Sequence, residues 1–346
     1  MTTTEKRTIA SSMDQARAWV QAAQPPLTAP TDPAEIAAWR PKLRRKLASL
    51  LCIETLRPQP EVKVLRKWPH GNLNAYELLI TPPGDLGWKA LVLEPKGIKT
   101  KRPGWVCMHG VISGGMSSVT GLVVEQKGGE ESIKEFECDY GLRLAQMGYV
   151  TISLDFPGFG YRADDGAPDG TVQDSTAVIA MDMGKNYIGW CVSDALAAVS
   201  ALAEWPTVDA RRLGATGFSM GGTMAGYLAA LDSRIYAAAL SGRFGYKRQR
   251  LIEARNTRAF SCVPGMYKYL DGPDVLASAA PKRMYINQEV RNDMPLAISE
   301  TERVRAVYET VGAADRLTIR YDAPDPPRHR FGGEPIYRWI EKTMPV

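Results

Sequence analysis

The pattern of apolar and polar residues divides the chain into a helical beginning and a longer region of mixed strands and helices. In the beginning, Thr31 or Asp32 can cap a helix that has Pro33 in its first turn and continues through AEIAAW. Pro41 predicts either a kink or the start of a second helix, KLRRKLASLL. We therefore predict that residues 1–60 form a helical arm or cap.

From Glu61 onward the pattern predicts a sheet. The runs EVKVLRKW, NAYELLIT and WKALVLEP, separated by Gly, Pro and Asn, favour antiparallel strands. After Arg102 strands alternate with helices, which is typical of a parallel sheet covered on both faces. The predicted strands are 104–108, 149–154, 212–216, 237–240, 283–287 and 317–321, and the main predicted helices are 140–146, 191–203, 222–230 and 299–311. The expected fold class is α/β, with a doubly wound, mostly parallel sheet.

One catalytic domain is expected over residues 61–346, with an insertion at about 243–282 that is too long for a simple connector. We interpret the insertion as a cap or pocket wall. Its first part contains one acid, Glu253, and six basic residues: Arg243, Lys247, Arg248, Arg250, Arg255 and Arg258. A solvated face or an oligomer contact is the favoured interpretation. Attraction of an anionic substrate is the alternative.

Composition narrows the function classes. The 346 residues are 45% apolar and 23% charged, as in ordinary globular proteins, and a net charge of +5 is too small to indicate nucleic-acid binding. No apolar run approaches the ~20 residues of a membrane span, and the first residues lack the apolar core of a secretion signal. The five widely spaced cysteines favour neither disulfides nor a thiolate zinc site. We expect a cytoplasmic protein with no metal or organic cofactor and a small-molecule substrate, and leave open a homo-oligomer.

The segment Gly217–Gly221 has the pattern G-x-S-x-G, with Ser219 at its centre. It follows the predicted strand RLGAT and precedes the predicted helix GTMAGYLAA, which is the context of a nucleophilic serine at a sharp strand-to-helix turn. The backbone N–H of the next residue, Met220, is well placed to stabilise a developing oxyanion. We predict that Ser219 is a nucleophile.

A nucleophilic serine needs a base, and the chain has only three histidines. His329 lies in PPRHRFGG, just after the last predicted strand, where the base follows when the chain order is Ser, acid, His. His109 begins the loop HGVISGG, so we expect it to fix that loop, with Val111 as the second oxyanion donor. His70 lies in WPHGN and is interpreted as a turn residue.

The acid should follow the strand before the last, RMYIN. Asp293, in QEVRNDMPLA, is the first candidate, and Glu289 is its nearest rival. Asp322 and Asp325 follow the last strand and rank lower. The role of the acid would be to hold the tautomer of His329 and to stabilise its imidazolium form.

These residues together resemble the α/β-hydrolase superfamily, and most closely its dienelactone hydrolase and acetyl xylan esterase-like branch of carboxylesterases. The segments that carry the resemblance lie between about Pro103 and the C-terminus: CMHGVISGG, LAQMGYVTISLDFPGFGYR, VDARRLGATGFSMGG, CVPGMYKYL, NDMPLA and HRFGG. The resemblance implies a Ser219, Asp293, His329 triad, with oxyanion donors at Val111 and Met220. The sequence differs from the family pattern in two places. HGVISGG lacks a third consecutive glycine, and the acid loop, QEVRNDMPLA, lacks the G-x-x-D spacing.

The resemblance also implies that the DFPGFGYR loop lines the site, with Phe156, Phe159 and Tyr161 as substrate contacts. DFPGFG is similar as well to the DGPGQG-like loop of hydrolases that cleave carbon–carbon bonds beside a ketone. Three functions are therefore compared: an esterase for small acyl esters, a C–C hydrolase, and a non-catalytic binding protein of the same fold. The complete Ser, acid and His set favours an enzyme, and the esterase is the first choice.

The nucleophile prediction can be tested directly. Ser219→Ala should abolish nearly all turnover, because the covalent acyl-enzyme can no longer form. A fluorophosphonate probe should label the wild-type chain at Ser219, as checked by peptide mass spectrometry. Labelling at another residue, or full activity in the variant, would contradict the mechanism.

Overall fold

The computed structural model describes residues 11–122, 129–163, 172–242, 258–290, 294–323 and 329–346. A nine-stranded sheet has the order β1-β2-β3-β5-β4-β6-β7-β8-β9. The first three strands are antiparallel to their neighbours, and β5, β4, β6, β7, β8 and β9 are parallel. The strands are β1 (Glu61–His70), β2 (Leu73–Thr81), β3 (Trp88–Pro95), β4 (Arg102–Met108), β5 (Val150–Leu154), β6 (Val208–Phe218), β7 (Ile235–Gly242), β8 (Arg283–Glu289) and β9 (Leu317–Asp322).

Helices cover both faces of this sheet. In chain order they are α1 (Ser12–Ala22), α2 (Pro33–Leu50), α3 (Gly115–Thr120), α4 (Gly129–Phe136), α5 (Tyr140–Gln146), α6 (Gln173–Asp182), α7 (Tyr187–Ala203), α8 (Met220–Leu231), α9 (Gly272–Ser278), α10 (Met294–Thr310) and α11 (Glu334–Thr343). Alternate residues of the parallel strands enter different apolar clusters. Val106 and Ile286 face the cluster of α2, α7 and α8, whereas Trp105 and Tyr285 face that of α5 and α11. The predicted doubly wound α/β fold is confirmed.

The sequence pattern located the strands more accurately than the ends of the helices. Every predicted parallel strand is present, although β6 begins at Val208, four residues earlier than expected. Asp32 caps α2 by accepting the N–H of Ala34 at 2.8 Å, as the sequence suggested. The alternative prediction that a second helix starts at Pro41 was wrong, because α2 continues from Pro33 to Leu50 with Pro41 inside it.

Helix α2 of the N-terminal arm is part of the main core, whereas α1 has no buried residues. Ile36, Trp39, Leu43 and Leu47 of α2 are buried in the same apolar cluster as α7, α8 and α9. The segment before α2 is also anchored, because the buried carboxylate of Asp274 in α9 accepts the N–H of Ala29 at 2.9 Å. The predicted boundary at residue 60 is therefore a boundary along the sequence only. In the structure, α2 shares one apolar core with the helices of residues 61–346.

The first part of the predicted insertion, residues 243–257, lies outside the described residues. The rest packs between the arm and α6. The N–H of Leu27 in the arm donates to the carbonyl of Tyr269 at 2.9 Å. Arg258, the one described member of the basic set, pairs with Asp174 of α6 at 2.6 Å. The insertion remains predicted as a cap or pocket wall.

Packing of α2 into the core gives a stability prediction. Leu43→Ala removes a fully buried side chain, so the free energy of unfolding should fall by about 2–5 kcal/mol in a single cooperative transition. Leu86→Ala is the control, because Leu86 is exposed and its change should stay within about 0.5 kcal/mol. Urea denaturation followed by circular dichroism measures both. An early separate transition of the arm, with the main transition unchanged, would show that the arm is independent.

Candidate active site

Ser219 lies at an abrupt turn between β6 and α8. Its backbone has φ 55° and ψ −116°, a conformation that non-glycine residues rarely adopt. Such a conformation costs on the order of 1–3 kcal/mol and persists only where the surroundings enforce it. Ser219 is half-buried at the carboxyl edge of the parallel strands, where ligand sites of α/β sheets occur.

Two neighbouring glycines allow the chain to approach this turn closely. A Cβ atom on Gly221 would lie 1.8 Å from the carbonyl oxygen of Met108, at the end of β4. A Cβ atom on Gly110 would lie 3.0 Å from the Cβ of Ser219. The loop after β4 therefore runs directly beside Ser219. This contact places Gly110 of the HGVISGG segment next to the serine, and the oxyanion role of the following residue, Val111, stays a prediction.

His329 approaches the same turn from the loop after β9. Its ring lies 4.4 Å, centroid to centroid, from that of Phe218, the residue before Ser219. Its Nδ1 atom is hydrogen-bonded to the carboxylate of Glu289, the last residue of β8. A carboxylate accepts, so Nδ1 carries the proton and Nε2 is left with its lone pair. This arrangement is the tautomer that a general base requires.

The structure describes two of the four carboxylates that were candidates for the acid beside His329. Glu289 contacts His329, and Asp322 instead pairs with Arg320, whose Nη2 lies 3.2 Å from its carboxylate. Asp293 and Asp325 lie outside the described residues, so the prediction for Asp293 stays a prediction. A sequence signal for Glu289 existed: it lies two residues after the predicted strand 283–287, whereas Asp293 lies six residues after that strand.

The loop that carries His329 is held by residues that the sequence analysis did not single out. The ring of Phe331 stacks on Tyr140 of α5 with 4.4 Å between centroids. The N–H of Phe331 donates to the carbonyl of Phe136 at 2.9 Å. Arg330 pairs with Glu137 at 2.9 Å. No local motif marks these contacts, because they join segments almost two hundred residues apart.

His109 has the loop-fixing position predicted for it. The fully buried ring accepts the N–H of Phe156 at Nε2, at 3.0 Å, so Nδ1–H donates to the carbonyl of Gly110, at 2.6 Å. Burial lowers the pKa of His109 to about 4, with a smaller contribution in the same direction from the charge of Arg162. A neutral ring with both nitrogens engaged cannot serve as the base.

The predicted substrate contacts are placed unequally. Phe156 and Phe159 are 0% and 1% exposed, and both rings pack 4.9 Å from His109, centroid to centroid. Such side chains have no surface to offer a substrate, so we correct their role from substrate contact to support of the loop. Tyr161 is half-buried beneath the ammonium group of Lys89, which lies 4.1 Å from the ring centroid. Its predicted contact with substrate stays a prediction.

The described residues contain no group of three or more His, Cys, Asp or Glu side chains arranged to hold a metal ion. Their helices include none that is both long and apolar enough to cross a membrane.

The sheet, the turn at Ser219 and the position of His329 define an α/β-hydrolase. The chain belongs to the Abhydrolase family, whose model, Abhydrolase_7, matches residues 6–334. The superfamily resemblance drawn from the sequence is thereby confirmed. A curated relative, "Putative hydrolase YtaP" of Bacillus subtilis (strain 168), is 28% identical over 179 residues, which are 50% of this chain and 57% of the relative. The match thus spans little more than half of that relative's length.

Solved structures share the fold. A "putative acetyl xylan esterase" from Bacteroides fragilis NCTC 9343 has a TM-score of 0.84 at 19% identity, covering 97% of this chain and 96% of that one. A glucuronoyl esterase from Solibacter usitatus has a TM-score of 0.62 at 15% identity, covering 93% and 98%. An acetyl xylan esterase from Paenibacillus sp. R4 has a TM-score of 0.58 at 19% identity, covering 94% and 98%.

Burial of neutral His109 predicts a dependence of stability on pH. Its folded pKa is about 4, and an unfolded histidine titrates near pH 6.5. Between these two pH values the unfolded chain binds a proton at His109 that the folded chain does not bind. The free energy of unfolding therefore decreases as the pH falls through this window. Acidification from pH 7 to pH 4 should cost about 3 kcal/mol through this residue.

Urea denaturation at pH 7, 5.5 and 4 measures the effect as the difference between the wild type and His109→Gln. The variant should lose about 3 kcal/mol less than the wild type over this range. Phe156→Leu, which keeps the imidazole and removes a packed ring, should retain the wild-type pH dependence. Equal pH dependence in the wild type and His109→Gln would refute the assignment.

Proposed function

We propose that this chain is a serine carboxylesterase that cleaves small acyl esters. Ser219 is the nucleophile, His329 the general base and Glu289 the acid that orients it. The backbone N–H groups of Met220 and Val111 receive the oxyanion. The observation that carries the proposal is the hydrogen bond between His329 and Glu289 beside the strained turn at Ser219.

The geometry supports a two-step acyl transfer. Nε2 of His329 takes the proton of the Ser219 hydroxyl as its oxygen attacks the ester carbonyl carbon. The imidazolium then gives this proton to the departing alcohol, which leaves an acyl group on Ser219. A water molecule attacks the acyl-enzyme, and His329 takes its proton and returns it to Ser219 as the carboxylic acid departs.

Glu289 is preferred over Asp293 because its carboxylate contacts Nδ1 of His329. A carboxylate in this position keeps the proton on Nδ1, so that Nε2 faces the reaction with a free lone pair. It also stabilises the positive charge that forms on the ring during both steps. Asp322 is less suited to this role because Arg320 already compensates its charge.

Acetyl esters are the first substrates to test, because two of the similar structures are named acetyl xylan esterases. The assay compares p-nitrophenyl acetate, acetylated xylo-oligosaccharides, a methyl ester of glucuronic acid and a ketone-bearing C–C substrate. Turnover of an acetyl ester that a fluorophosphonate blocks supports the proposal. Turnover of the C–C substrate alone would replace it with the C–C hydrolase, and no turnover together with no labelling would remove it.

The acid assignment gives a separate prediction. Glu289→Gln keeps the size of the side chain but removes the charge, so kcat should fall severely, by ~10⁴-fold as in the best-studied triad. Asp322→Asn and Asp293→Asn are the matched controls, and each should retain far more activity. Steady-state kinetics on p-nitrophenyl acetate compare the three variants. If Asp293→Asn were the crippling change, Asp293 would be the acid and Glu289 only its neighbour.

A further inference from the structure

Ser241 lies near the carboxyl end of β7, next to the strand that carries the nucleophile. Its backbone carbonyl accepts the N–H of Ser219 at 2.7 Å. This bond continues the parallel pairing of β6 and β7, in which Phe218 is opposite Ser241. One side of the strained turn is therefore held by the main chain of Ser241.

The side chain of Ser241 points to the other catalytic segment. Its fully buried hydroxyl accepts the N–H of Gly332 at 3.0 Å. Gly332 is three residues after His329 in the same loop. A single residue thus hydrogen-bonds to the proposed nucleophile through its carbonyl and to the loop of the proposed base through its hydroxyl.

Asn287 of β8 completes the support beneath this loop. Its Nδ2 atom lies 3.4 Å from the Ser241 hydroxyl, and its Oδ1 accepts from Arg320 at 2.9 Å. A Cβ atom on Gly332 would lie only 2.6 Å from Cγ of Asn287, so the loop rests directly on this amide. Glu289 follows two residues later on the same face of β8. The surface under the loop therefore leads to the carboxylate that holds His329.

We infer that Ser241 is a positioning residue that fixes the distance between Ser219 and His329 by hydrogen-bonding to both of their segments. This inference rests on the proposed function. It adds a residue that takes no part in the proton transfers and acts only through the placement of the other two. A displacement of about 1 Å can cost roughly 100-fold in rate, so loss of the hydroxyl bond should matter for kcat.

The test is Ser241→Ala, which removes the hydroxyl and leaves the carbonyl bond to Ser219. We expect kcat for p-nitrophenyl acetate to fall roughly 10- to 100-fold, with little change in KM, because the bound ester is unaffected while the reacting groups are misplaced. Fluorophosphonate titration counts the folded active sites, so that kcat is expressed per labelled serine.

Ser200→Ala is the matched control. The Ser200 hydroxyl in α7 is buried and accepts from Arg234 at 2.9 Å, so this variant also removes one buried hydroxyl acceptor. Both variants should lower the melting temperature by similar amounts, but only Ser241→Ala should lower kcat per labelled serine.

Two further measurements separate positioning from general loosening. The proton shared by His329 and Glu289 should give a far-downfield resonance in the wild type and in Ser200→Ala, and it should weaken or disappear in Ser241→Ala. Asn287→Ala removes the other group beneath Gly332. Its effect on kcat should be less than additive with that of Ser241→Ala, because both act on the same loop.

Wild-type kcat per labelled serine in Ser241→Ala, with its downfield proton intact, would overturn the inference. An equal loss in Ser200→Ala would do the same, because it would show general loosening of the fold. Either result would leave the proposed function standing if the wild-type chain turns over the ester and is labelled at Ser219. Failure of the wild type in those two assays would remove the proposed function itself.

Discussion

The strained turn at Ser219 is the constraint around which the site is built. A backbone with positive φ at a serine costs free energy, so the chain adopts this conformation only because both neighbouring strands hold it in place. On one side Met108, at the end of β4, packs against Gly221. On the other side the carbonyl of Ser241 in β7 accepts the N–H of Ser219. A central position in a parallel sheet supplies both neighbours.

The loop of His329 depends on a different kind of support. Its described residues, 329–333, belong to no helix or strand, and their contacts come from separate elements. The stack of Phe331 on Tyr140 is buried, and such aromatic pairs contribute about 0.5–1.5 kcal/mol beyond their burial. The pair of Arg330 with Glu137 is partly exposed, and pairs of this kind contribute only about 0.2–1 kcal/mol. Of these two contacts, the buried stack is expected to contribute more to holding the loop of His329.

The three described carboxylates near the site, Asp155, Asp322 and Glu289, each have a different partner. Asp155 is fully buried after β5 and accepts the N–H groups of Met116, at 2.7 Å, and Tyr161, at 3.0 Å, which ties α3 to the loop after β5. Asp322 is opposite Glu289 in the register of β8 and β9 but pairs with Arg320. Glu289 is thereby left to hold His329. His109, which is neutral, adds no charge to the loops after β4 and β5.

The sequence by itself determined the alternation of strands and helices, the turn at Ser219 and the place of His329 after the last strand. These features depend on local patterns: apolar spacing, close-packed glycines and chain order. Only the tertiary structure decided that Glu289 contacts His329, that Phe156 and Phe159 are buried, and that α2 continues through Pro41 into the common core. Each of these depends on contacts between segments far apart in the chain, and spacing along a sequence carries no information about which distant side chain fills a given position.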